Sequence, residues 1–226
     1  METILVIAAE ARELAGFAPR LGGRRKLDLP IRFADEGEFA GRRWLLAANG
    51  PGPELAAAAM RAFGRPDRVV STGYCGALDP ALQLSDIVIC NRVIDTGKDR
   101  RFRTADEFGA TCLSGDRVIQ TAREKQFLRQ STGAGVVEME AAGVAAEAEK
   151  LGVPFHCIKV VTDTAHEDMG VDFNAARGED GRFHLKLIAL SALKKPHRRI
   201  PELLRLNKAA SAATARLGAY LGTHVY

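Results

Sequence analysis

The chain has 226 residues, of which 46% are hydrophobic and 27% charged, and a formal net charge of +4. This is the composition of an ordinary soluble protein, and the length predicts one domain spanning residues 1–226. No apolar stretch is long enough for a membrane span or a secretion signal, so we expect a cytoplasmic protein without stable membrane insertion. Two basic stretches, 21–28 and 193–208, lack any nucleic-acid-binding motif, so we interpret them as solvated surfaces and expect no nucleic-acid partner.

Apolar stretches alternate along the chain with alanine-rich or amphipathic ones. Strands are predicted at Thr3–Ala9, as a pair within 31–50 with its turn at Glu36–Gly37, and at 68–71, 84–94, 133–137 and 153–163. Helices are predicted at 10–21, 53–63, 123–130 and 140–151, and from Arg182 to the end, where Pro196 and Pro201 divide the pattern into two segments. The polar stretch 95–112 is predicted to be a loop. This alternation favours an α/β domain with a mixed, mostly parallel sheet and helices on both sides.

The four cysteines, Cys75, Cys90, Cys112 and Cys157, form no C-x-x-C pair and no Cys/His cluster with the spacing of a zinc site. We therefore expect no metal site. Cys90 and Cys157 lie in apolar stretches, which indicates reduced cysteines of the protein core. Since flavin and nicotinamide motifs are also lacking, no cofactor is expected.

Several predicted strands end in chemically useful residues, and in sheets of this kind ligands bind at the carboxyl ends of the strands. The first strand leads into Glu10, Arg12 and Glu13, which either line a site or complement the dipole of the following helix at the surface. The strand at 68–71 leads into the turn Gly73–Gly76. Its glycines allow a close approach of the backbone to an anion or a sugar, or else form an ordinary turn.

Two further strand ends carry acids. Asp163 ends the longest apolar strand, where burial raises the pKa of a carboxyl and can keep it protonated, although a helix cap is the alternative role. Glu138 and Glu140 flank Met139, so an extended backbone would point both carboxylates to one side, where they can accept hydrogen bonds from sugar hydroxyls. Met139 then lies against a ribose or a base, or else belongs to the core. Together these groups fit cleavage of a glycosidic bond through an oxocarbenium-like transition state.

Four segments resemble, in matching order, the superfamily of purine nucleoside phosphorylases and methylthioadenosine/S-adenosylhomocysteine nucleosidases. They are ILVIAAEARE at 4–13, STGYCGALDPALQLSDIVI at 71–89, SGDRVI at 114–119 and the block from Val136 to Ala165. The resemblance implies a nucleoside phosphorylase-like domain, with a twisted mixed sheet that is partly closed into a barrel and flanked by helices. It also implies a role in purine nucleoside metabolism, with a small-molecule nucleoside as the binding partner and a homodimer as the assembly.

The resemblance further implies roles for single residues. Asp163, preceded by Thr162, protonates or hydrogen-bonds N7 of the purine, and an aspartate here favours a 6-aminopurine such as adenine. Glu140 holds the ribose hydroxyls, with Met139 packed beneath the sugar and Glu138 as local hydrogen-bond support. Further substrate contacts are expected at Gly73, Tyr74, Cys75, Gly76, Val118 and Ile119.

For the nucleophile, the resemblance leaves two alternatives. The nucleosidases activate water with an acid after the first strand, here Glu13 or else Glu10. The segments at 10–12 and 171–221 instead resemble hopanoid-associated nucleoside phosphorylases, with inorganic phosphate as co-substrate and Arg12 as its ligand. Tyr74 stands where the superfamily usually has a small residue, so it either donates its hydroxyl to phosphate or fills that site. We predict phosphorolysis of an adenine-type nucleoside, with hydrolysis as the first alternative and a non-catalytic nucleoside-binding domain as the second.

Overall fold

The structure is a computed structural model and describes residues 1–178, 180–184, 186–188 and 196–224. Its strands are β1 Thr3–Ala8, β2 Gly22–Lys26, β3 Phe33–Phe39, β4 Arg42–Ala48, β5 Arg68–Ser71, β6 Tyr74–Ala77, β7 Ile87–Asp95, β8 Arg100–Arg103, β9 Ala110–Ser114, β10 Val136–Glu138 and β11 Phe155–Asp163. The main helices are α1 Ala11–Leu14, α2 Pro53–Phe63, α3 Ala122–Thr132, α4 Ala141–Leu151 and α5 Pro196–Thr223.

All these strands belong to one mixed sheet, in the order β2-β3-β4-β1-β5-β11-β6-β10-β9-β7-β8. The strands β4, β1, β5, β11 and β6 run parallel to one another. Because β11 also pairs with β7, the strands β11, β6, β10, β9 and β7 close into a ring. The predicted mixed sheet, partly closed into a barrel and flanked by helices, is thereby confirmed.

Strand β1 shows why its sequence is continuously apolar. Leu5 and Ile7 face a core cluster that includes residues of α2 and α4, whereas Ile4 and Val6 face a second cluster with residues of α1 and α5. Successive side chains of a strand point to opposite faces, so a strand covered by helices on both sides needs apolar residues at every position. Each of these four side chains is fully buried, which stabilises the fold by about 1.5–3 kcal/mol per side chain.

Several predicted element boundaries were wrong. The turn of the β3–β4 hairpin lies at Ala40 and Gly41, which have φ angles of 51° and 73°, and not at Glu36–Gly37. Glu36 lies inside β3, where Arg25 and Arg43 of the two neighbouring strands pair with its carboxylate. The predicted loop at 95–112 contains β8 and part of β9, and the predicted helix at 10–21 is reduced to α1 and a 3₁₀ turn at Ala18–Arg20.

The C-terminal helix also differs from its prediction. Pro201 lies inside the single helix α5 and does not end it. Near the start of a long helix, the missing N–H of proline removes one backbone hydrogen bond, and the rest of the helix continues. The predicted helical residues 189–195 lie outside the described part of the chain. Among the described residues, no helix is long and apolar enough to cross a membrane.

Candidate active site

A cavity of about 220 Å³ lies where β1, β10 and β11 end, beside the start of β6. All predicted site residues line it except Gly73, namely Glu10, Arg12, Glu13, Tyr74, Cys75, Gly76, Val118, Ile119, Glu138, Met139, Glu140, Thr162 and Asp163. Gly73 lies behind Glu13, since a Cβ atom at this glycine would be 2.1 Å from Oε2 of Glu13. Chain segments that are far apart in the sequence thus bring their acids to one place.

Glu13 is the most deeply enclosed acid on the β1 side of the cavity. It lies in α1 with 5% exposure, and Gly73, at a φ of +117°, leaves the space that its carboxyl occupies. Burial, and then the neighbouring Glu140, raises the pKa of Glu13 to about 8. A carboxyl with this pKa is largely protonated at neutral pH and becomes a good proton acceptor when ionised.

Glu140 and Glu138 have different surroundings. The extended backbone of β10 ends at Glu138, and Glu140 has helical dihedral angles at the boundary of α4. The Glu138 carboxylate accepts hydrogen bonds from the amides of Glu140 and Ala141 and pairs with Lys159 at 2.7 Å. Glu140 accepts a bond of 2.9 Å from the amide of Gly52, and burial together with Glu138 raises its pKa to about 7. Glu140 therefore has the less occupied carboxyl, and Glu138 supports the turn that presents it.

Asp163 lies at the end of β11 with 4% exposure. Its Oδ2 is 2.5 Å from Nζ of Lys125, and its Oδ1 accepts a bond of 3.2 Å from the hydroxyl of Thr162. A Cβ atom at Gly76 would lie 2.8 Å from Oδ2, so only glycine gives this carboxyl its place without a shift. Burial raises the pKa of Asp163, and Lys125 opposes that rise without cancelling it.

Arg12 and Tyr74 form one side of the cavity. The Arg12 guanidinium lies over the Tyr74 ring, 5.4 Å from its centroid, and the side chain of Arg12 is exposed. Within the described part of the chain, the Arg12 guanidinium makes no hydrogen bond or ion pair. The Tyr74 hydroxyl is 2.6 Å from Oγ1 of Thr214 and bonds the carbonyl of Ala210, so it is engaged by α5. The forked donors of Arg12 are therefore available for an anion.

An apolar wall completes the cavity. Val118 and Ile119, which were predicted as substrate contacts, belong to this wall, and Asn174 fixes the Val118 backbone through two bonds of 2.9 Å. The sequence did not predict the lining residues from the segment after β11 and from α5, which are Met169, Phe173, Phe183, Leu206 and Ala210. Such a wall of apolar and sulfur-containing side chains suits the flat faces of a base.

Two buried lysines were also missed. Lys125 and Lys159 have 0% exposure, and each pairs with an acid that lines the cavity. A signal was present for Lys159, because a charged residue in the middle of a nine-residue buried strand needs a partner in the interior. Lys125 gave no such signal, since the surrounding helical segment is polar.

One group of side chains among the described residues lies close enough together to hold a metal ion. The thiols of Cys90, Cys112 and Cys157 come from β7, β9 and β11, and their sulfur atoms lie within 4.8 Å of one another. All three cysteines are free and have 0% exposure. They belong to the barrel core, as predicted for Cys90 and Cys157, and their grouping depends on strand pairing that no sequence spacing reveals.

A family model described as the phosphorylase superfamily matches residues 32–111 and 104–193 of this chain. The chain belongs to the phosphorylase superfamily. Among similar proteins, 5′-methylthioadenosine/S-adenosylhomocysteine nucleosidase of Mycobacterium bovis is 28% identical over 233 residues, covering 78% of this chain and 91% of the relative. The nucleosidase of the same description from Geobacillus kaustophilus is 26% identical over 205 residues, covering 74% and 87%.

Solved structures share the fold of this chain. Futalosine hydrolase of Helicobacter pylori superposes with a TM-score of 0.73 at 16% identity, covering 97% of this chain and 95% of that protein. The Neisseria meningitidis nucleosidase in complex with methylthio-immucillin-A gives a TM-score of 0.68 at 24% identity, covering 97% and 99%. At these sequence identities, the likeness to the two solved structures shows a common fold and nothing about activity.

Proposed function

We propose that the chain cleaves the N-ribosidic bond of an adenine-type purine nucleoside and releases the base, with phosphate as the nucleophile. The observation that carries the proposal is the arrangement of Asp163 and Glu140 in one cavity, each buried and each with a raised pKa. A catalytic acid and a sugar clamp are the two parts that this reaction needs most. Several relatives are described as nucleosidases, which also supports cleavage of a nucleoside.

Asp163 is the proposed general acid. An adenine anion is a poor leaving group, and protonation at N7 as the N-ribosidic bond breaks removes much of the barrier, about two to four orders of magnitude in rate. A protonated carboxyl donates one hydrogen bond to N7 and accepts one from the 6-amino group. It would oppose the acceptor oxygen of a 6-oxopurine, which is why we propose an adenine-type base.

Glu140 is the proposed sugar clamp. Its carboxyl is held by the amide of Gly52 and lies next to Met139, which also lines the cavity. A carboxylate accepts hydrogen bonds from two hydroxyls, and a thioether packs against the face of a ribose. Val118 and Ile119 lie in the same lining and are the proposed contacts of the base.

Phosphate is the first candidate for the nucleophile because of Arg12. Its guanidinium borders the cavity beside Glu13 and has the forked donors that match a phosphate. The pKa values of about 8 for Glu13 and about 7 for Glu140 reduce the negative charge that a phosphate dianion would meet at neutral pH. Tyr74, whose hydroxyl is held by α5, supports the guanidinium with its ring.

Water is the second candidate, and Glu13 favours it. A buried carboxyl with a pKa of about 8 is suited to take a proton from water when it is ionised. Glu10 also lines the cavity but is only half-buried, so it is the weaker candidate for this role. The described activities of the relatives are hydrolytic, which supports the same alternative.

The proposal is tested by measuring adenine release from adenosine and 5′-methylthioadenosine, each with and without inorganic phosphate. Release that requires phosphate supports phosphorolysis, and equal release in its absence supports hydrolysis through Glu13. The variant Asp163→Asn is expected to lose at least about a hundredfold in rate in either case. Full activity of Asp163→Asn would contradict the role of the acid, and binding of both nucleosides without any release would make the chain a non-catalytic nucleoside-binding domain.

A further inference from the structure

Lys125 is a fully buried cation on α3, and its ammonium contacts the proposed general acid directly. Its Nζ lies 2.5 Å from Oδ2 of Asp163 and donates to the carbonyls of Thr164 at 2.7 Å and Glu167 at 3.3 Å. These three acceptors use all three donors of an ammonium group. Among the described residues, the anionic partner of this lysine is therefore the acid at the cavity.

A buried lysine is an unfavourable choice if its role is only to hold a helix against a loop. Removing an ammonium from water carries a large desolvation penalty, and well-packed apolar residues often replace buried ion pairs without loss of stability. The placement of Lys125 is explained if the charge of its partner matters for the reaction. A carboxyl that gives up a proton in a dry site leaves a carboxylate, which needs a nearby cation.

We propose that Lys125 is a positioning residue for the general acid, and that its ammonium holds the Asp163 carboxyl and stabilises the carboxylate left after proton transfer. This inference rests on the proposed function. In the step itself, the O–H bond of Asp163 breaks and the N7–H bond of the purine forms. The electron pair of the O–H bond stays on the carboxylate, the pair of the N-ribosidic bond goes to the base, and an oxygen of the phosphate forms the new bond to the anomeric carbon. Lys125 keeps all three of its protons, and Asp163 takes a new proton from water after the base has left.

None of the other described groups that face Asp163 supplies a positive charge to its carboxylate. Glu167, in the segment after β11, raises the pKa of Asp163, and its own carboxylate is 2.9 Å from Arg205 of α5. Cys75 of β6 is buried next to Asp163, and burial raises the pKa of its thiol. Thr162 donates a neutral hydrogen bond. Without Lys125, burial and Glu167 would both raise the pKa of Asp163, and no cation would oppose them.

The test is the pH profile of kcat/KM for the nucleoside that the wild-type protein cleaves. Activity falls as the pH rises through the pKa of the acid, and the descending limb that belongs to Asp163 is identified as the one that Asp163→Asn lacks. Lys125→Gln keeps hydrogen-bond donors but removes the charge. We expect the descending limb of this variant to move to higher pH by about one unit or more. An opposite charge at this distance lowers the pKa of a carboxyl by one to three units, and the variant removes that charge. We also expect kcat to fall at least about tenfold, because the acid is weaker.

Two variants control for a role in structure alone. Lys125→Arg keeps the charge, and its limb is expected within about half a pH unit of the wild-type limb. Lys150→Met removes an exposed lysine that pairs with Glu147 outside the cavity and is expected to leave the profile unchanged. An activated riboside such as 4-nitrophenyl riboside has a leaving group that needs no proton. Its cleavage is expected to be insensitive to Lys125→Gln.

An unmoved limb in a folded Lys125→Gln variant would overturn the inference while leaving the proposed function intact. Equal losses on the nucleoside and on the activated riboside would also overturn it, because a general structural defect affects both substrates. If Lys125→Gln does not fold, the pH profile of Lys125→Arg is the test. A descending limb displaced from the wild-type limb by one pH unit or more in that variant contradicts the inference. Failure of the wild-type protein to release a base from any nucleoside counts against the proposed function itself.

Discussion

The ammonium of Lys159 lies 2.7 Å from the carboxylate of Glu138, and the two side chains are 0% and 1% exposed. The same ammonium donates to the hydroxyl of Ser71 and the carbonyl of Thr72, at the end of β5. Glu138 in turn accepts from the amide of Glu140 at the start of α4. This pair joins β11, β5 and β10 at the point where Glu140 reaches the cavity.

We expect Lys159→Met to reduce the free energy of unfolding by about 3–5 kcal/mol, because it leaves the Glu138 carboxylate buried without its cation. Urea unfolding measures the loss. The matched control is Lys98→Met, which removes an exposed lysine 3.4 Å from Glu54 and is expected to cost less than about 1 kcal/mol. Equal small losses in both variants would contradict the structural role of the buried pair.

Glu140→Gln is expected to lower kcat/KM for a ribonucleoside by roughly ten- to a hundredfold, because a hydrogen bond to a charged acceptor contributes about 1.5–3 kcal/mol. Substrates that lack the 2′- or 3′-hydroxyl should lose less in this variant, since the partner of the carboxylate is already missing. Glu147→Gln is the control on the same helix, where Glu147 pairs with Arg61 outside the cavity. A loss that is the same for ribonucleosides and deoxynucleosides would contradict the proposed role of Glu140 in binding the ribose hydroxyls.

The pKa of Glu13 predicts how stability changes with pH. Burial raises it from 4.5 to about 8, so between these values the folded state binds a proton that the unfolded state has released. The stability that this proton contributes is complete below pH 4.5 and is lost as the pH rises towards 8. In that range the free energy of unfolding falls by about 1.4 kcal/mol per pH unit on account of Glu13.

Glu13→Gln should therefore make the decline between pH 5 and 7 less steep by about that amount. Urea unfolding at pH 5, 6 and 7 gives the slope. Glu147→Gln serves as the control, because Lys150 and Arg61 outweigh burial and lower the pKa of Glu147, so its contribution does not change in this range. An unchanged slope in Glu13→Gln would mean that Glu13 is ionised in the folded protein at neutral pH.

Arg12→Gln is expected to raise the KM for inorganic phosphate roughly ten- to a hundredfold and to change the KM for the nucleoside much less, because it removes a charged, forked donor. Steady-state kinetics with phosphate as the varied substrate measure this. Arg32→Gln, an exposed arginine that does not line the cavity, is the matched control. A phosphate requirement that survives Arg12→Gln unchanged would exclude Arg12 as the phosphate ligand.

The sequence predicts most of the sheet because its central strands are covered on both faces. Strand β11 is buried along almost its whole length, and its sequence pattern ends directly at the acid Asp163. The edge strands were harder to predict, because only one residue of β8, Phe102, is buried and the others are exposed arginines. Such a strand has the composition of a loop, and its pairing with β7 decides its conformation.

The site was predictable where a strand end carries an acid and unpredictable where contacts cross the fold. Glu13, Glu140 and Asp163 are all visible from strand ends and motifs. The pairing of Lys125 with Asp163 joins residues 38 positions apart, and α5 reaches the cavity from the far end of the chain. Only the tertiary structure shows that Glu138 turns towards Lys159 and that Glu140 keeps the less occupied carboxyl at the cavity.

The identity of the sugar product distinguishes phosphorolysis from hydrolysis in a single experiment. The wild-type protein is incubated with adenosine or 5′-methylthioadenosine and phosphate, and the products are quantified by mass spectrometry. Phosphorolysis predicts one pentose 1-phosphate for each adenine released, with both products lost together in Asp163→Asn. Free pentose in place of the phosphate ester would contradict phosphorolysis and assign the nucleophile to water at Glu13.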